Sequence, residues 1–139
     1  MAGSVTFINL EGTRPILIEI QALVDKSIDS PIPTLTVGTD AQRLTMLLAI
    51  LHRHVTLSTY DQDVFLNAVG GIKINETASD LAVLIAIVSS MTNQAVSSKT
   101  AIFGEVGLGG EIRPVSRGQE RIKEASKLGF KRIIVPLKE

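Results

Sequence analysis

An apolar run without a single polar residue extends from Leu81 to Val88, directly after a glycine pair and a short polar segment. On a helical wheel its side chains surround the axis, and a helix that is apolar on every side is usually buried. The run is too short to span a membrane, which needs ~20 apolar residues. The sequence therefore predicts one central core helix that the rest of the domain must cover.

The residues before this run carry the signals of a helix start. Asn75 or Thr77 is predicted to cap the helix by accepting a backbone N–H bond. Glu76 and Asp80 then fall in or near the first turn, where the helix dipole favours negative charge. Since helix N-termini bind anions and position nucleophiles, this entry segment is the first place to look for chemistry.

Strands are predicted on both sides of this segment. Glu19 and Gln21 alternate with Ile18 and Ile20, which is the period-two pattern of a sheet with one solvated face. Two prolines in Asp29–Pro33 predict a loop. The predicted strands are Val5–Leu10, Arg14–Val24, Thr34–Val37, Val64–Val69, Thr100–Val106, Glu111–Val115 and Arg132–Pro136, with turns at Glu11–Thr13 and Thr59–Asp63.

Two further helices are predicted. The first runs from Asp40 to Val55 with Thr39 or Asp40 as its cap, and Arg43 falls towards its apolar side, where it should be paired or at an interface. The second runs from Arg117 to Leu128 with an apolar stripe of Ile122, Ala125 and Leu128, and Gly129 as its C-cap. Arg121 lies at the edge of that stripe, which indicates a structural ion pair or a subunit contact. These elements predict one α+β domain over residues 1–139, with a mixed sheet and three main helices.

Composition excludes some classes of function. The chain has no cysteine, which excludes disulfides and thiolate metal sites and fits a reducing compartment. Net charge is zero, but the segment from Arg113 onwards carries eight Lys or Arg against three Glu, a net +5. The other residues carry six against eleven, a net −5. The C-terminal segment is therefore a candidate basic patch, although such a set is more often a solvated helix face.

Motifs for catalysis or metal binding are weak. The glycines of Gly104–Gly110 precede a predicted strand rather than a helix, which indicates a hairpin turn and not a phosphate loop. His52 and His54 are two apart on a helix, whereas metal pairs favour a spacing of four. Ser79 with Lys73 is the one Ser–Lys pair that can be proposed, but nothing in the spacing selects it.

Four blocks of the sequence nevertheless resemble one family. They are GTRPILIEIQALV, VGTDAQRLTMLLAILHRH, DVFLNAVGGIKINETASDLAVLIAIVSS and FGEVGLGGEIRPVSRGQERIKEASKLGFKRIIVP. In this order they resemble the C-terminal domain of bacterial RadA, also called Sms, a family of RecA paralogues in DNA repair and recombination. That domain is similar to the proteolytic domain of Lon protease, so the resemblance implies a Lon-like α+β fold.

The Lon resemblance permits a test of two positions. The Lon nucleophile lies in a GPSAG-type segment at the start of the central helix, and its serine corresponds here to Ala78. The Lon lysine follows a Pro-Ile-Gly-Gly-Leu-Lys pattern, and Gln119 stands at that place. A methyl group cannot attack a carbonyl, and an amide cannot serve as the base. The resemblance therefore implies a protease fold without protease chemistry.

The resemblance also implies what surrounds this domain. RadA proteins carry a zinc finger and a RecA-like ATPase core, so the chain is expected to be an isolated C-terminal piece with no cofactor of its own. ATP, magnesium and zinc are expected only in the other parts of the parent. The parent is similar to hexameric ATP-driven motors that act on recombination intermediates, which implies a cytoplasmic, nucleoid-associated bacterial protein.

The implied role of the domain is ring assembly, as a homo-hexamer, and contact with single-stranded or branched DNA; RecA is a further expected partner of the full-length protein, and a membrane is not. Two alternatives stay open, a structural oligomerisation scaffold and an active peptidase using Ser79 with Lys73. Charge placement alone selects the DNA-binding candidates. They are Arg113, Arg117, Lys123, Lys127 and Lys131, with Arg43, Arg53 and Lys73 as second choices.

Overall fold

A computed structural model describes residues 1–27 and 34–137. The loop predicted for Asp29–Pro33, and Lys138 of the basic segment, lie outside the described residues. The described elements are β1 (Ser4–Glu11), β2 (Arg14–Lys26), β3 (Thr34–Val37), α1 (Ala41–Ile50), β4 (Gln62–Ala68), α2 (Asp80–Thr92), β5 (Thr100–Ile102), β6 (Glu105–Val106), β7 (Ile112–Arg113), α3 (Gly118–Lys127) and β8 (Arg132–Ile134).

Six strands form one mixed sheet in the order β3-β4-β2-β1-β5-β8. Only β2 is antiparallel to its neighbours, and the predicted hairpin is confirmed because Glu11 pairs with Arg14 across a tight turn. The other neighbouring strands run parallel. The prediction of a mixed sheet with three helices is therefore confirmed.

The two sides of the sheet are covered by different helices. Phe7, Ile18 and Leu66 share one side, and α1 and α2 pack on it through buried leucine, alanine and isoleucine side chains. Ile8 and Phe103 alternate to the other side and are fully buried. There α3 packs on β1 and β2, and the guanidinium of Arg121 lies 5.6 Å from the centre of the Phe103 ring. This second helix layer covers only part of its side of the sheet.

The central helix starts differently from the prediction. A 3₁₀ turn at Thr77–Ser79 precedes α2, and neither Asn75 nor Thr77 caps it. The Thr77 hydroxyl instead donates to the carboxylate of Glu105. The prediction of complete burial was also wrong in part, because the apolar residues turned away from the sheet are only half-buried: Leu81, Leu84, Ile85 and Val88.

The predicted helix from Asp40 to Val55 is confirmed in position, and Asp40 is its cap. The Asp40 carboxylate accepts the backbone N–H groups of Gln42 at 2.9 Å and Arg43 at 3.4 Å. The last turns are a π-helix over Leu51–Val55, which ends at Thr56 with φ +58°. The apolar periodicity of the sequence did not predict this wider winding.

The remaining differences concern element ends. The glycine-rich segment forms the predicted hairpin, β6–β7. The strand predicted over Thr100–Val106 is interrupted at Gly104, because the backbone N–H of Gly104 donates to Ala78 at 2.8 Å and its carbonyl accepts from Leu81. The predicted stripe of α3 was wrong in one member: Leu128 is 53% exposed, whereas Arg121 is completely buried.

Candidate functional site

The outer surface of α3 carries two of the candidate cations that have no partner among the described residues. Lys123 and Lys127 are exposed, and within the described residues neither ammonium group has a hydrogen bond or ion pair. Residues four apart lie on the same face of a helix. The two charges are therefore presented side by side to solvent, together with the exposed Gln119 and Ser126.

Arg113 and Arg117 lie near α3 but are engaged in surface ion pairs. The Nη2 atom of Arg113 lies 2.8 Å from Oε2 of Glu111, and the Nη1 atom of Arg117 lies 3.1 Å from Oε2 of Glu120. Exposed pairs of this kind contribute little to stability, typically ~0–1 kcal/mol, so either arginine can exchange its partner for another anion. Hydrogen bonds from its own backbone and from Arg113 lower the pKa of Glu111.

Lys131 belongs to a second exposed cluster, at the start of β8. The backbone N–H groups of Lys131 and Arg132 both donate to the carbonyl of Lys99, at 2.9 Å and 3.2 Å. This contact brings three cationic side chains to one corner of the molecule. Sequence reasoning missed Lys99 and Arg132 as members, because Lys99 lies far away in sequence and joins only through the pairing of β5 with β8.

Arg121 is a structural residue, as the predicted ion pair indicated. Its guanidinium donates to both carboxylate oxygens of Glu76, at 2.6 Å and 3.1 Å. It also donates to the carbonyls of Ile8 at 2.9 Å and Ser116 at 3.0 Å. Glu76 in turn accepts the backbone N–H of Leu10 at 2.6 Å. All these donors are used inside the fold, so Arg121 is not available to a ligand.

Arg43, a second-choice candidate, is paired as predicted. Its Nε donates to Oδ1 of Asp80 at 3.0 Å, and its Nη2 donates to the other carboxylate oxygen. Asp80 is 1% exposed and also accepts the backbone N–H of Val106 at 3.0 Å. The hydrogen bonds with Asp80 raise the pKa of Arg43, so the guanidinium stays charged and held.

A cavity of about 310 Å³ lies beside this pair. Lys73 and Ser79 both line it, and so does Thr39, whose buried hydroxyl has no partner among the described residues. The Ser79 hydroxyl donates to the carbonyl of Glu76 at 3.1 Å. The side chain of Lys73 is exposed and makes no hydrogen bond to a described residue.

The two positions predicted from the resemblance to correspond to the Lon dyad, Ala78 and Gln119, have unlike surroundings. Ala78 is buried at 3% exposure in the 3₁₀ turn before α2. Gln119 is exposed in the first turn of α3. Arg53 is exposed in the π-helix, away from α3 in the sequence. The structure therefore places Lys123 and Lys127 on α3 and Arg117 directly before its first turn, and leaves Arg43 and Arg53 elsewhere.

Between residues 1–27 and 34–137, no group of three or more His, Asp or Glu side chains is placed to hold a metal ion. In the same ranges, no helix has the length and apolar content needed to cross a membrane.

Comparison with known proteins places the chain in a family context. Residues 41–139 match the family described as subunit ChlI of Mg-chelatase. The chain is also similar to proteins named DNA repair protein RadA, at 58% identity in Pseudomonas aeruginosa and 55% in Escherichia coli, each over 97% of this chain. The protein of that name in Aquifex aeolicus is 46% identical over 96% of the chain. The chain spans about 30% of the length of these relatives.

Proposed function

The chain belongs to the family described as subunit ChlI of Mg-chelatase, and because its longer relatives are named DNA repair protein RadA, we propose that it is a non-catalytic DNA-binding and ring-assembly domain of a RadA-type repair ATPase. In this proposal the domain has the Lon-like fold and lies at the C-terminal end of its parent. Its sequence similarity to RadA proteins in several bacteria supports the repair role.

One observation carries the DNA contact: Lys123 and Lys127 are exposed side by side without a partner among the described residues. Ammonium groups in this setting attract phosphates, and they position a nucleic acid without reading its sequence. Arg117, the exposed residue directly before the first turn of α3, adds a third cation at the N-terminal end of the helix. Lys131, with Lys99 and Arg132, adds a second anchoring point beyond the C-terminal end of α3.

The chemistry at the Lon-like positions supports the absence of catalysis. Ala78 supplies only a methyl group at the place of the nucleophile, and Gln119 supplies an amide at the place of the base. Neither group can form an acyl intermediate or take a proton. In this proposal the domain acts through contacts of its exposed surface rather than through a catalytic centre. ATP hydrolysis and the binding of magnesium and zinc would belong to other parts of the parent.

The alternative function is that of a Ser–Lys peptidase, and it is considered because Ser79 and Lys73 line the same cavity. A serine nucleophile needs a base within hydrogen-bond reach, and the Ser79 hydroxyl instead donates to the Glu76 carbonyl. Incubation with an unfolded casein substrate should therefore give no cleavage. If the chain cleaves casein and the Ser79→Ala variant does not, the peptidase function would be established.

The role proposed for the longer parent protein rests on its relatives, which are named DNA repair protein RadA. The parent would act on recombination intermediates during branch migration after DNA damage, in the bacterial cytoplasm at the nucleoid. A ring of six copies would present the α3 surface several times, so that weak contacts add up through avidity. RecA would meet the full-length parent rather than this domain.

The proposal is tested with fluorescence anisotropy of labelled single-stranded, duplex and branched DNA across a salt series, with the mass of the protein followed by light scattering. Binding that weakens steeply with salt is expected, because each neutralised phosphate releases condensed counterions and adds to the slope. No binding at low salt by a folded chain would overturn the DNA contact and favour the scaffold alternative.

A further inference from the structure

The cavity beside the Arg43–Asp80 pair has an aliphatic floor and a polar rim. Its volume is about 310 Å³, at the lower end of the ~300–1,000 Å³ that is typical of ligand sites, so it suits a small molecule. Buried side chains from α1, β4 and α2 form the floor: Leu44, Leu47, Leu66 and Val83. None of the described residues that line it is aromatic. The floor therefore suits a branched aliphatic group and offers no surface on which a nucleobase can stack.

Several donors around this floor are left without a partner. Arg43 uses two of its five N–H donors on Asp80, which leaves three, and its side chain is 30% exposed. Lys73 and Asn75 also line the cavity, and neither side chain bonds to a described residue. The Thr39 hydroxyl is buried in the wall without a partner in the described part of the chain. A buried hydroxyl of this kind indicates an acceptor that is still to be supplied.

The acids at the cavity have less bonding capacity left. The carboxylate of Asp80 accepts three hydrogen bonds from within the fold. The carboxylate of Glu76 also accepts three. Asp40 is exposed at the rim and caps α1 with one of its oxygens. The unused capacity of the cavity is therefore mainly that of donors and of the Lys73 ammonium group, which favours an anionic group over a metal ion.

We propose that this cavity binds a small carboxylate that carries a branched aliphatic side chain, either a free amino acid or the last residue of a polypeptide. The aliphatic side chain lies on the leucine and valine floor, and the carboxylate lies between Arg43 and Lys73. A guanidinium that holds Asp80 through Nε and Nη2 still presents N–H groups on its other edge, and such a pair of donors matches a carboxylate.

This site goes beyond the proposed DNA contact and does not depend on it. Lys73 lies in the segment before α2, whereas Lys123 and Lys127 lie on α3, so the two ligands use different cations. Ser79 lines the same cavity, but its hydroxyl donates to the carbonyl of Glu76. The acid is therefore bound and left unchanged.

The test is a titration of the nitrogen-15-labelled chain followed by amide chemical shifts. N-acetyl-leucine carries both recognised groups, N-acetyl-leucinamide lacks the carboxylate, and acetate lacks the side chain. N-acetyl-leucine is expected to bind with a Kd on the order of 1 mM, since a ligand of this size makes few contacts. The shifts should concentrate in residues 39–44 and 73–80. The other two probes should bind at least about tenfold more weakly, because each loses one kind of contact.

Free leucine distinguishes the two sources of the carboxylate. Its ammonium group can meet the exposed Asp40, so tighter binding than that of N-acetyl-leucine would identify a free amino acid as the ligand. Tighter binding of N-acetyl-leucine, whose amide resembles a peptide bond, would identify the end of a polypeptide.

Three variants test the role of Lys73. Lys73→Gln should weaken binding of the tighter probe by about tenfold, the effect of losing one charge-assisted contact. Lys73→Arg should keep most of the affinity. The matched control is Lys123→Gln, which removes another exposed lysine without a described partner and should leave the affinity unchanged. All three changes are at exposed positions, and circular dichroism verifies that the variants fold.

Three outcomes would overturn the site. The first is the absence of saturable shifts with both leucine and N-acetyl-leucine at concentrations well above the expected Kd. The second is equal affinity for N-acetyl-leucine and for the probes that lack its carboxylate or its side chain. The third is unchanged affinity in Lys73→Gln, or an equal loss in Lys123→Gln, which would indicate a general attraction of anions to surface lysines.

Discussion

Two groups of cationic side chains lie in opposite surroundings, although the sequence does not separate them. Inside the fold, Arg121 and Arg43 hold Glu76 and Asp80 in bidentate pairs around the start of α2. On the outer surface of α3, Lys123 and Lys127 make no hydrogen bond or ion pair with a described residue. The first group fixes the fold around the start of α2, and the second is available to phosphates.

The difference follows from the chemistry of the two side chains. A guanidinium offers five donors in a rigid fork, so one arginine can satisfy a carboxylate and two carbonyls at once. Arg121 does this between β1, α3 and the segment before α2. A lysine ammonium is compact and strongly hydrated, which suits a surface that must exchange partners.

The largest effect is expected from Arg121→Met. The substitution keeps an apolar stem but leaves Glu76 without its cation, and it removes the donors to Ile8 and Ser116. Breaking a mostly buried pair in this way typically costs ~3–5 kcal/mol. Urea unfolding of the variant should show a loss in that range, whereas Arg117→Met on the surface of the same helix should change stability by less than ~0.5 kcal/mol. Equal effects of the two would contradict the division into regions.

A smaller loss is expected from Asp80→Ala. Arg43 then loses its partner and the Val106 N–H loses an acceptor, but Arg43 is 30% exposed and can be hydrated again. The free energy of unfolding is expected to fall by about 2–3 kcal/mol, because a buried carboxylate that accepts from one charged and one backbone donor is removed. The double variant Arg43→Met/Asp80→Ala should recover part of this loss in the same unfolding experiment. A double variant as unstable as the sum of the single ones would show that the pair is not coupled.

The pairs Arg121–Glu76 and Arg43–Asp80 also show which features of the fold can be predicted from the sequence. Apolar periodicity and turn residues predict β1 to β4, α1 and α3 because those signals are local. The pairing of Arg43 was predicted from its position on the apolar side of α1, and its partner Asp80 was not, because the contact joins residues 37 apart. Glu76 was read as a first-turn acid, although it bonds Leu10 and Arg121 at the edge of the sheet. Side-chain contacts across the core have no signature in one sequence.

Reversal of the two free charges on α3 should have only a small effect on stability. Lys123→Glu with Lys127→Glu is expected to change the free energy of unfolding of the monomer by less than ~1 kcal/mol, because neither residue has a partner in the described fold. Urea unfolding at high salt, where association of copies is screened, measures this. A loss comparable with that of Arg121→Met would place the two lysines in the fold rather than on a binding surface.

The smallest effect concerns Glu111, whose pKa is lowered by its own backbone and by Arg113. A carboxyl with a lowered folded-state pKa contributes stability that is present above its ordinary value, about 4.3, and is lost as the pH falls through the lowered value. Carboxyl titration by NMR should place the midpoint of Glu111 below that value. Arg113→Gln should move the midpoint upward, and an unchanged midpoint would contradict the role of the surface pair.

We propose that the α3 cations, and not the interior arginines, form the DNA contact. The direct measurement is DNA-binding anisotropy at one low salt concentration for Arg117→Glu/Lys123→Glu/Lys127→Glu, compared with the control Arg14→Glu/Lys26→Glu, which keeps the α3 surface. We predict that the triple variant loses detectable binding while its circular dichroism stays unchanged, and that the control keeps most of its affinity. Undiminished binding by the folded triple variant, or an equal loss in both variants, would show that the α3 cations do not form the DNA contact.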